Sequence, residues 1–432
     1  MDEEYAPDIN KKVSQMSLSS GKGTFSLASS QSDSEYDEEE DDKEEPLVLL
    51  GFAQDPQHPW LLARHHFPSK AGGSPAWLDP VNLPQGKDTL CGFCENPLEF
   101  LCQVYAPLDG REDAFHRTMF LFMCPNLACL QQDQHHQSKP LSEKPCRSVK
   151  VFRSQLRRTN RYYSKDPPRS DGSDSPSCGA VALCSWCGTW RGEKVCGGCK
   201  QTRYCSRKHQ LDHWRAGHAN YCREVQAGHD QKKGSTLGVN EAEVILIADS
   251  KRLTEQGIAI AANTATWPEF EITVEEERDE DISDSEHKSS ESAVVLAGVR
   301  KGDNFPLADF QDVEEPSKEQ QHWASFQARI SRAPSQVLRY CRSADAKPLW
   351  LQLDGQPQFA DIPPCTSCGQ PRIFEFQVLP QLLYYLGVQN NPDSLDWGTI
   401  AIYTCASSCS SLESSSTSIG YVEEFVWVEM AS

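Results

Sequence analysis

Apolar and polar positions divide the chain into three ordered stretches separated by long polar runs. Order begins at Pro46, where Leu47-Val-Leu-Leu-Gly-Phe52 predicts a short buried strand, followed by aromatic and proline residues through Trp60, Phe67 and Trp77. Phe100-Leu-Cys-Gln-Val-Tyr105 alternates as a strand, and after the loop Ala106-Pro-Leu-Asp-Gly110 the run from Phe115 to Cys124 reads as its partner. Far downstream, Trp267-Pro-Glu-Phe-Glu-Ile272 predicts a short strand and Glu241 to Ile260 a weak helical pattern. Trp323, Phe326 and Ile330 form a helical stripe closed by Pro334, packing on its own domain. Pro334 to Tyr340 then reads as a short helix, Pro348-Leu-Trp-Leu351 as a strand, and Trp397 to Cys405 as another.

The polar runs change the picture next. Residues 1–45 are rich in Ser and Gly and end in an acidic block, Asp33 to Glu45, that cannot bury enough apolar surface to offset ordering entropy. Residues 223–319 are mostly acidic as well, with the block Glu275 to Asp281 inside them. Ser32, Ser34, Ser283 and Ser285 precede acidic residues and suit an acidophilic kinase. Between Lys139 and Arg169 the charge reverses: Arg147, Lys150, Arg153, Arg157, Arg158, Arg161 and Lys165 interleave with Val151, Phe152, Leu156, Tyr162 and Tyr163. That stretch alone suggests RNA contact. Against the acidic whole it reads rather as a partner surface or a dock for the acidic tail.

At 432 residues the chain has room for two or three domains, and 38% hydrophobic residues with ten tryptophans can build real cores. A net charge of −20 and a pI near 5.1 make it a poor non-specific binder of nucleic acid or anionic membrane, so direct RNA binding is not expected. No apolar run approaches the length of a membrane span. Eighteen cysteines without a secretory leader read as reduced thiols and metal ligands, which places the protein in cytoplasm and nucleus.

Chemistry concentrates between Cys184 and Cys222. The pairs Cys184/Cys187 and Cys196/Cys199 are Cys-x2-Cys knuckles, while Cys205/His209 and His218/Cys222 have the four-residue spacing that puts both ligands on one helix face. Four such pairs make two complete tetrahedral sites, and the eight ligands leave no open position for catalysis. Two knuckle pairs followed by two helical pairs resemble the MYND zinc finger, whose sites are cross-braced. That resemblance assigns Cys184, Cys187, Cys205 and His209 to one zinc and Cys196, Cys199, His218 and Cys222 to the other. His213, four residues after His209, is the competing donor; the MYND pattern usually has an acidic residue there and no ligand. In MYND fingers that bind short proline-rich peptides, positions matching Gln210 and Trp214 line the groove.

Two outer cysteine sets repeat one another. Cys91, Cys94, Cys124 and Cys129 bracket the first strand pair like a zinc ribbon, and Cys365, Cys368, Cys405 and Cys409 do the same near the C-terminus. Cys91 to Val104 and Cys365 to Val378 share six identities in fourteen ungapped positions (Cys, Cys, Pro, Phe, Gln, Val). Zinc is therefore the expected cofactor, two ions in the finger and up to four in all. Cys102 and Cys146 show that the chain also keeps cysteines outside any set.

The expected fold is α+β and β-rich. Two related cysteine-bearing β halves form a composite scaffold with a concave face, into which a MYND-type finger and acidic disordered segments are inserted. The boundaries are 1–45 (acidic tail), 46–168 (N-terminal half), 169–183 (linker), 184–222 (finger), 223–319 (acidic linker with a strand near 267–272) and 320–432 (C-terminal half).

The ordered chain as a whole resembles the programmed cell death protein 2 family, of a plant-like kind. The matching stretches include Gly51-Phe52, Phe67-Pro-Ser-Lys-Ala-Gly-Gly73, Pro75-Ala-Trp77, Gln103-Val-Tyr-Ala-Pro-Leu108, Asp113-Ala-Phe-His-Arg117, Val151-Phe-Arg-Ser-Gln155, Trp267 to Ile272, Gln336 to Tyr340, Phe374 to Leu383 and Asp396-Trp-Gly-Thr399. A histidine at the sixth ligand position, here His209, is typical of that family; His213, Cys102 and Met123 depart from its pattern. The resemblance implies no catalysis. It implies a monomeric, dedicated chaperone for one newly made basic small-subunit ribosomal protein, of the universal S5 type, handed on to nascent 40S particles. An acidic holder would screen such a client's charge, and pre-ordered strand edges would take up its backbone. The rival reading is an adaptor in transcription or chromatin regulation whose finger binds proline-rich peptides; no glycine-rich cofactor loop or nucleophile–base pair supports an enzyme.

Overall fold

Alternating apolar positions pair up as ten strands of one closed barrel. The computed structural model describes residues 47–137, 146–174, 179–234, 266–277, 316–389, 391–410 and 420–431. In chain order the strands are β1 (Leu49–Gln54), β2 (Lys70–Ala71), β3 (Glu99–Tyr105), β4 (His116–Met123), β5 (Val149–Leu156), β6 (Lys194–Val195), β7 (Arg203–Tyr204), β8 (Phe270–Glu276), β9 (Gln336–Tyr340), β10 (Arg372–Val378), β11 (Thr399–Cys405) and β12 (Val422–Glu429). The helices are α1 (Leu127–Gln137), α2 (Arg207–His213), α3 (Ala219–Gly234), α4 (Lys318–Ser331) and α5 (Gln381–Tyr385). Around the barrel the order is β1-β8-β2-β3-β4-β5-β12-β11-β10-β9, returning to β1, and β6–β7 is a separate ribbon. The tail, the helical pattern at 241–260, the acidic positions from 278 onward and the four serines lie outside the described residues.

The two cysteine-bearing units thus do not build a cupped sheet. N-terminal strands with β8 inserted between β1 and β2 fill one arc of the barrel and C-terminal strands the other, joined where β5 meets β12 and β1 meets β9. One interior serves both: Met119, Leu121, Val151, Phe376, Val378, Ile400, Ile402, Val426 and Val428 belong to a single buried cluster. Closure satisfies the strand edges that an open concave sheet would have exposed. Where β12 runs beyond its ladder with β5, side chains stand in for a strand. The Gln137 amide donates to the Val428 carbonyl at 2.6 Å and accepts from the Val428 N–H at 3.0 Å, and Arg147 donates to the Val426 carbonyl. Where these ladders are formed the strands offer no free edge to a client backbone, whereas β8 beyond Glu271 and β10 before Phe376 each lack a second strand partner.

Several elements differ from the sequence expectation. Gln336–Tyr340 is a strand rather than a helix: Gln336, Val337, Leu338, Arg339 and Tyr340 are all buried between β1 and β10, so ladder pairing overrides local propensity. Pro348 to Leu351 is not a strand; its Leu349 backbone is instead bonded at both N–H and carbonyl by the Gln377 side chain, at 2.6 and 2.9 Å. Gln103 does the same for the first half, accepting from the Ala76 N–H at 2.8 Å and donating to the Pro68 carbonyl at 2.8 Å. β3 and β10 also carry a bulge at the same place, between Phe100 and Cys102 and between Phe374 and Phe376.

The basic stretch from Lys139 to Arg169 supplies barrel strand β5, and two of its cations point inward. Arg153 is buried against Glu424 (2.7 Å) and Arg147 against Asp133 (3.1 Å). Desolvation makes those two guanidiniums take internal carboxylates and withdraws them from any partner surface or tail dock, whereas Arg157, Arg158, Arg161 and Lys165 remain exposed. The bulge at Glu375 aims that side chain into the barrel, where Arg117 from β4 meets it in a two-pronged ion pair with both side chains fully buried. Tyr340 and Thr404 also donate to Glu375, and Arg342 lies 3.6 Å away. Arg372 joins Arg153 on Glu424 at 2.9 Å. The barrel is therefore apolar at one end and ionic at the other, with arginines of the first half (Arg117, Arg153) holding glutamates of the second.

The finger sits on the outer face of β3–β5. That face shows Phe100, Phe120, Phe122 and Phe152 in one cluster with Trp77 and the finger's Trp190, which is only 1% exposed. The Trp190 and Phe122 rings lie 4.4 Å apart, and each indole N–H crosses the junction: Trp190 to the Leu98 carbonyl (2.7 Å), Trp77 to the Thr189 carbonyl (2.9 Å). Trp190→Ala is expected to cost about 3–5 kcal/mol. Denaturant unfolding with the zinc retained reads it, and a midpoint unchanged from the parent would mean that the finger is not packed on the barrel.

Candidate metal centres

Four sets of four soft donors converge, and in each the donor atoms lie within 4.8 Å of one another: Cys184/Cys187/Cys205/His209, Cys196/Cys199/His218/Cys222, Cys91/Cys94/Cys124/Cys129 and Cys365/Cys368/Cys405/Cys409. The first half of every set is the same turn. The carbonyl of its leading cysteine accepts from the N–H four residues on (Cys91–Glu95, Cys184–Gly188, Cys196–Lys200, Cys365–Gly369; 2.8–3.0 Å). That fourth residue has φ between 57° and 73° in all four turns. Glycine meets the left-handed requirement at two of them, while Glu95 and Lys200 carry about 1 kcal/mol or more of strain that the surrounding turn must offset.

The second halves differ. In the outer sets they come from the end of a strand: Cys124 follows β4 with Cys129 on α1, and Cys405 closes β11 with Cys409 just beyond. α1 was not foreseen from the sequence. In the finger Cys205 sits on the bend just before α2 and His209 within α2, so that pair is not wholly helical as expected, while His218 ends the kinked segment 214–218 and Cys222 lies on α3. Ser206 caps α2 by accepting from the His209 N–H at 3.1 Å, which orients the Cys205/His209 pair. The helical path then kinks at Gly217, whose φ of 137° few other residues adopt, before α3 begins, so His218 and Cys222 face the second knuckle rather than the first.

Distances fit metal better than disulfide. Sulfur–sulfur separations of 3.6 Å (Cys94–Cys124, Cys365–Cys409), 3.5 Å (Cys368–Cys405), 3.8 Å (Cys196–Cys222) and 4.0 Å (Cys187–Cys205) are too long for an S–S bond. They match the edge of a tetrahedron with zinc–sulfur bonds of about 2.3 Å, which is about 3.8 Å. His209 aims Nδ1 at the sulfurs of Cys205 (3.2 Å) and Cys184 (3.8 Å), and His218 aims Nε2 at those of Cys196 (3.3 Å) and Cys199 (3.7 Å). His213 is not gathered in: its Nδ1 lies 3.1 Å from the Tyr204 hydroxyl. Thiols packed this closely repel one another once ionised. Cys91 is pulled down to about 5, chiefly by its hydrogen bond with Cys124, whereas burial pushes Cys129 up to about 12. A divalent cation would remove that conflict by holding all four as thiolates.

The C-terminal set leans on the ionic end of the barrel. The Cys405 N–H donates to Glu424 at 3.2 Å, Arg153 donates to the Cys409 carbonyl at 3.0 Å, and Arg342 donates to the Ala406 carbonyl at 2.8 Å. Neither spacing nor motif reveals this coupling. Arg117, Arg153 and Glu375 sit at inward positions of alternating strands, and only the barrel brings them together.

On the finger surface, Trp214 is 43% exposed and Gln210 half-buried, one turn apart, with Leu211 exposed beside them. At the barrel mouth a cavity of about 200 Å³ is lined by Leu49, Phe67, Tyr105, Ile272, Leu338 and Tyr340. It is too small for a folded partner. No helix of the described residues is long and apolar enough to cross a membrane.

Comparison with known proteins adds three family matches. The model of the programmed cell death protein 2 N-terminal domain matches residues 47–170, that of the family's C-terminal putative domain residues 320–430, and that of the MYND finger residues 184–222. The chain is 37% identical to programmed cell death protein 2 of Rattus norvegicus over 388 residues, covering 88% of this chain and 95% of the relative. It is 25% identical to programmed cell death protein 2-like of Homo sapiens over 391 residues, 84% of this chain and 91% of that one. A shorter stretch of 122 residues, 26% of this chain and 30% of the relative, is 30% identical to a protein of Schizosaccharomyces pombe named probable 20S rRNA accumulation protein 4. No solved structure matches.

Proposed function

The chain belongs to the programmed cell death protein 2 family, and from that premise we propose that it is a non-enzymatic holder of a newly made, basic small-subunit ribosomal protein of the universal S5 type, acting as a monomer in cytoplasm and nucleus ahead of 40S assembly. The observation that carries this reading is the distribution of charge. Among the described residues six buried cations (Lys70, Arg117, Arg147, Arg153, Arg339, Arg372) are nearly matched in number by five buried carboxylates (Asp79, Asp133, Glu375, Glu424, Glu429), so the interior is near neutral. The excess behind the net charge of −20 therefore lies on the outside and in the acidic runs, where it can screen a cationic client. The name of the S. pombe relative, which speaks of 20S rRNA accumulation, supports a link to ribosome production.

The repeated unit supports the same reading. Equivalent bulges in β3 and β10, equivalent glutamines Gln103 and Gln377, and a knuckle before each strand suit a duplicated module closed into one scaffold. Zinc at the four donor sets would stiffen that scaffold, so its acidic exterior is displayed without ordering cost when the client arrives.

A tagged pull-down from growing cells in low salt, read by mass spectrometry with and without a brief translation block, tests the proposal. One stoichiometric small-subunit ribosomal protein, lost when translation stops, is expected. A spread of nuclear regulators with no dominant ribosomal protein would overturn it. That outcome would favour the adaptor reading, for which the exposure of Trp214 beside Gln210 speaks. In that case proline-rich peptides would quench Trp214 fluorescence saturably, and a Trp214→Ala chain would not respond.

A further inference from the structure

The barrel is closed but not evenly sealed. β2 is two residues long and pairs with β8 only at Phe270 and Glu271, so from Ile272 onward β8 has the β1 ladder alone. On its open side the Ile272 N–H donates to the Ser69 carbonyl at 2.9 Å, and Phe67, with a φ of 51°, turns the chain away from any further pairing. On the β1 side the Glu277 N–H donates to the Val48 carbonyl. Backbone groups alternate sides along a strand, so Thr273 and Glu275 serve β1 while Val274 and Glu276 present theirs to the open side. Among the described residues these groups of Val274 and Glu276 have no hydrogen-bond partner. β10 also lacks a second strand before Phe376, but there the Cys341 N–H already covers the Glu375 carbonyl at 2.9 Å.

The open edge borders the cavity at the barrel mouth, which Ile272 and Val274 line together with Leu49, Val104 and Leu338. At about 200 Å³ it admits apolar side chains but no folded domain. The charge along the edge is one-sided. Glu269 and Glu277, beyond the two ends of the strand, are taken by Lys70 and by Arg329 with Arg339. Glu271, Glu275 and Glu276 form no ion pair among the described residues, and no lysine or arginine lines the cavity. Burial raises the Glu271 carboxyl above its ordinary range, which a cation brought alongside would reverse. The chain continues as Arg278-Asp-Glu-Asp281, adding three carboxylates against one cation. An arriving segment therefore meets an apolar cavity, an unpaired strand edge and a surplus of negative charge.

On the premise that the chain holds a basic client, we propose that an extended segment of that client adds to β8 as a further strand. Its backbone pairs with Val274 and Glu276, its apolar residues enter the cavity, and alternating lysines or arginines face the carboxylates of the edge. Two apolar runs of the chain itself fit less well. Residues 244–248 are flanked by Glu241, Glu243 and Asp249, which would meet like charge, and residues 293–299 contain no cation.

Amide hydrogen exchange of the full-length protein, resolved by residue, tests the contact with a synthetic peptide in which valine alternates with lysine and arginine. In the protein alone Thr273 and Glu275 should exchange slowly and Val274 and Glu276 fast. Saturating peptide is expected to slow the latter two roughly tenfold or more. Val274→Pro removes the outward N–H without touching the β1 ladder and should abolish binding, with the melting temperature as the check of folding. Should proline disturb the fold, the surface change Glu275→Lys with Glu276→Lys is expected to weaken binding roughly tenfold at low salt. Val274 already protected without peptide (residues 293–299 would then fill the edge), peptide bound with no slowing at Val274, equal binding of a backbone N-methylated peptide or of one with glutamates for its cations, or full binding by both variants would each overturn the proposal. In the pull-down, a folded Val274→Pro chain that still recovers the ribosomal protein overturns the edge contact and leaves the holder function standing. A parent chain that recovers none, with Val274 protected by the peptide, overturns the holder function and supports the edge as a strand acceptor.

Discussion

Chains carrying Cys184→Ser with Cys187→Ser are expected to bind at least one zinc fewer than the parent and to lose the finger. The two thiols supply half of one donor set, completed by Cys205 and His209. Structural zinc contributes about 10–16 kcal/mol of apparent binding free energy to small fingers, far more than the packing of some forty residues can replace. The consequence reaches the barrel, because unfolding the finger withdraws Trp190 from Trp77 and Phe122 and uncovers the aromatic face of β3–β5. Such a patch promotes association. Metal analysis of the purified protein together with a thermal melt checks both parts, and zinc content and melting temperature matching the parent would show that these thiols are not ligands. The corresponding change in an outer set, Cys365→Ser with Cys368→Ser, should remove one zinc while leaving Trp190 in place.

Removing Arg117 is expected to be nearly as damaging. The guanidinium and the Glu375 carboxylate are both fully buried and bonded through two N–H···O contacts, so Arg117→Ala leaves a carboxylate stranded in the barrel. The expected loss is about 3–5 kcal/mol, on the order of 10 °C in melting temperature. Replacing both partners, Arg117→Met with Glu375→Leu, should cost much less than the sum of the single changes, since neither member of the buried clasp is then left without the other. The pH dependence has a defined sign. Burial alone would raise the Glu375 pKa, but Arg117, aided by Arg342 and Thr404, holds it down at about 2, against an ordinary value of 4.5. A depressed carboxylate contributes stability that is fully present above its unfolded pKa and is lost as pH falls from about 4.5 toward 2. In Arg117→Ala the carboxyl keeps only the Tyr340 and Thr404 hydroxyls and the more distant Arg342, and takes up a proton more readily, so the deficit relative to the parent should be larger at pH 8 than at pH 5. A variant melting within about 2 °C of the parent at both pH values would refute the clasp.

The local signals and the long-range contacts separate cleanly along this chain. All sixteen donors of the four sets are legible in the sequence, because Cys-x2-Cys turns and four-residue helical pairs are local geometry and cysteine is rarely spent elsewhere in such clusters. Strands such as Phe100–Tyr105 and Trp397–Cys405 announce themselves by alternation. Gln336–Tyr340 and Val422–Glu429 do not: the first follows a proline and reads as helical, and the second owes its place to β5 and β11, hundreds and tens of residues away. The cations of Val149–Leu156 mislead for the same reason. A charge in sequence carries no sign of the carboxylate that will neutralise it, and Glu424 lies 271 residues from Arg153.

Two kinds of information therefore divide the molecule. By itself the sequence determined the donor sets, the finger's class, the repeated knuckle-and-strand unit and the acidic balance, all of which depend on spacing or composition. Only the tertiary structure decided that the two units close into one barrel instead of an open cup, that the finger is fastened to it through Trp190, and that Arg117, Arg153 and Arg372 turn inward onto Glu375 and Glu424. The physical reason is common to all three. They follow from pairing edges, aromatic faces and buried charges across long separations, where the energy of a residue is set by what surrounds it and not by its neighbours in the chain.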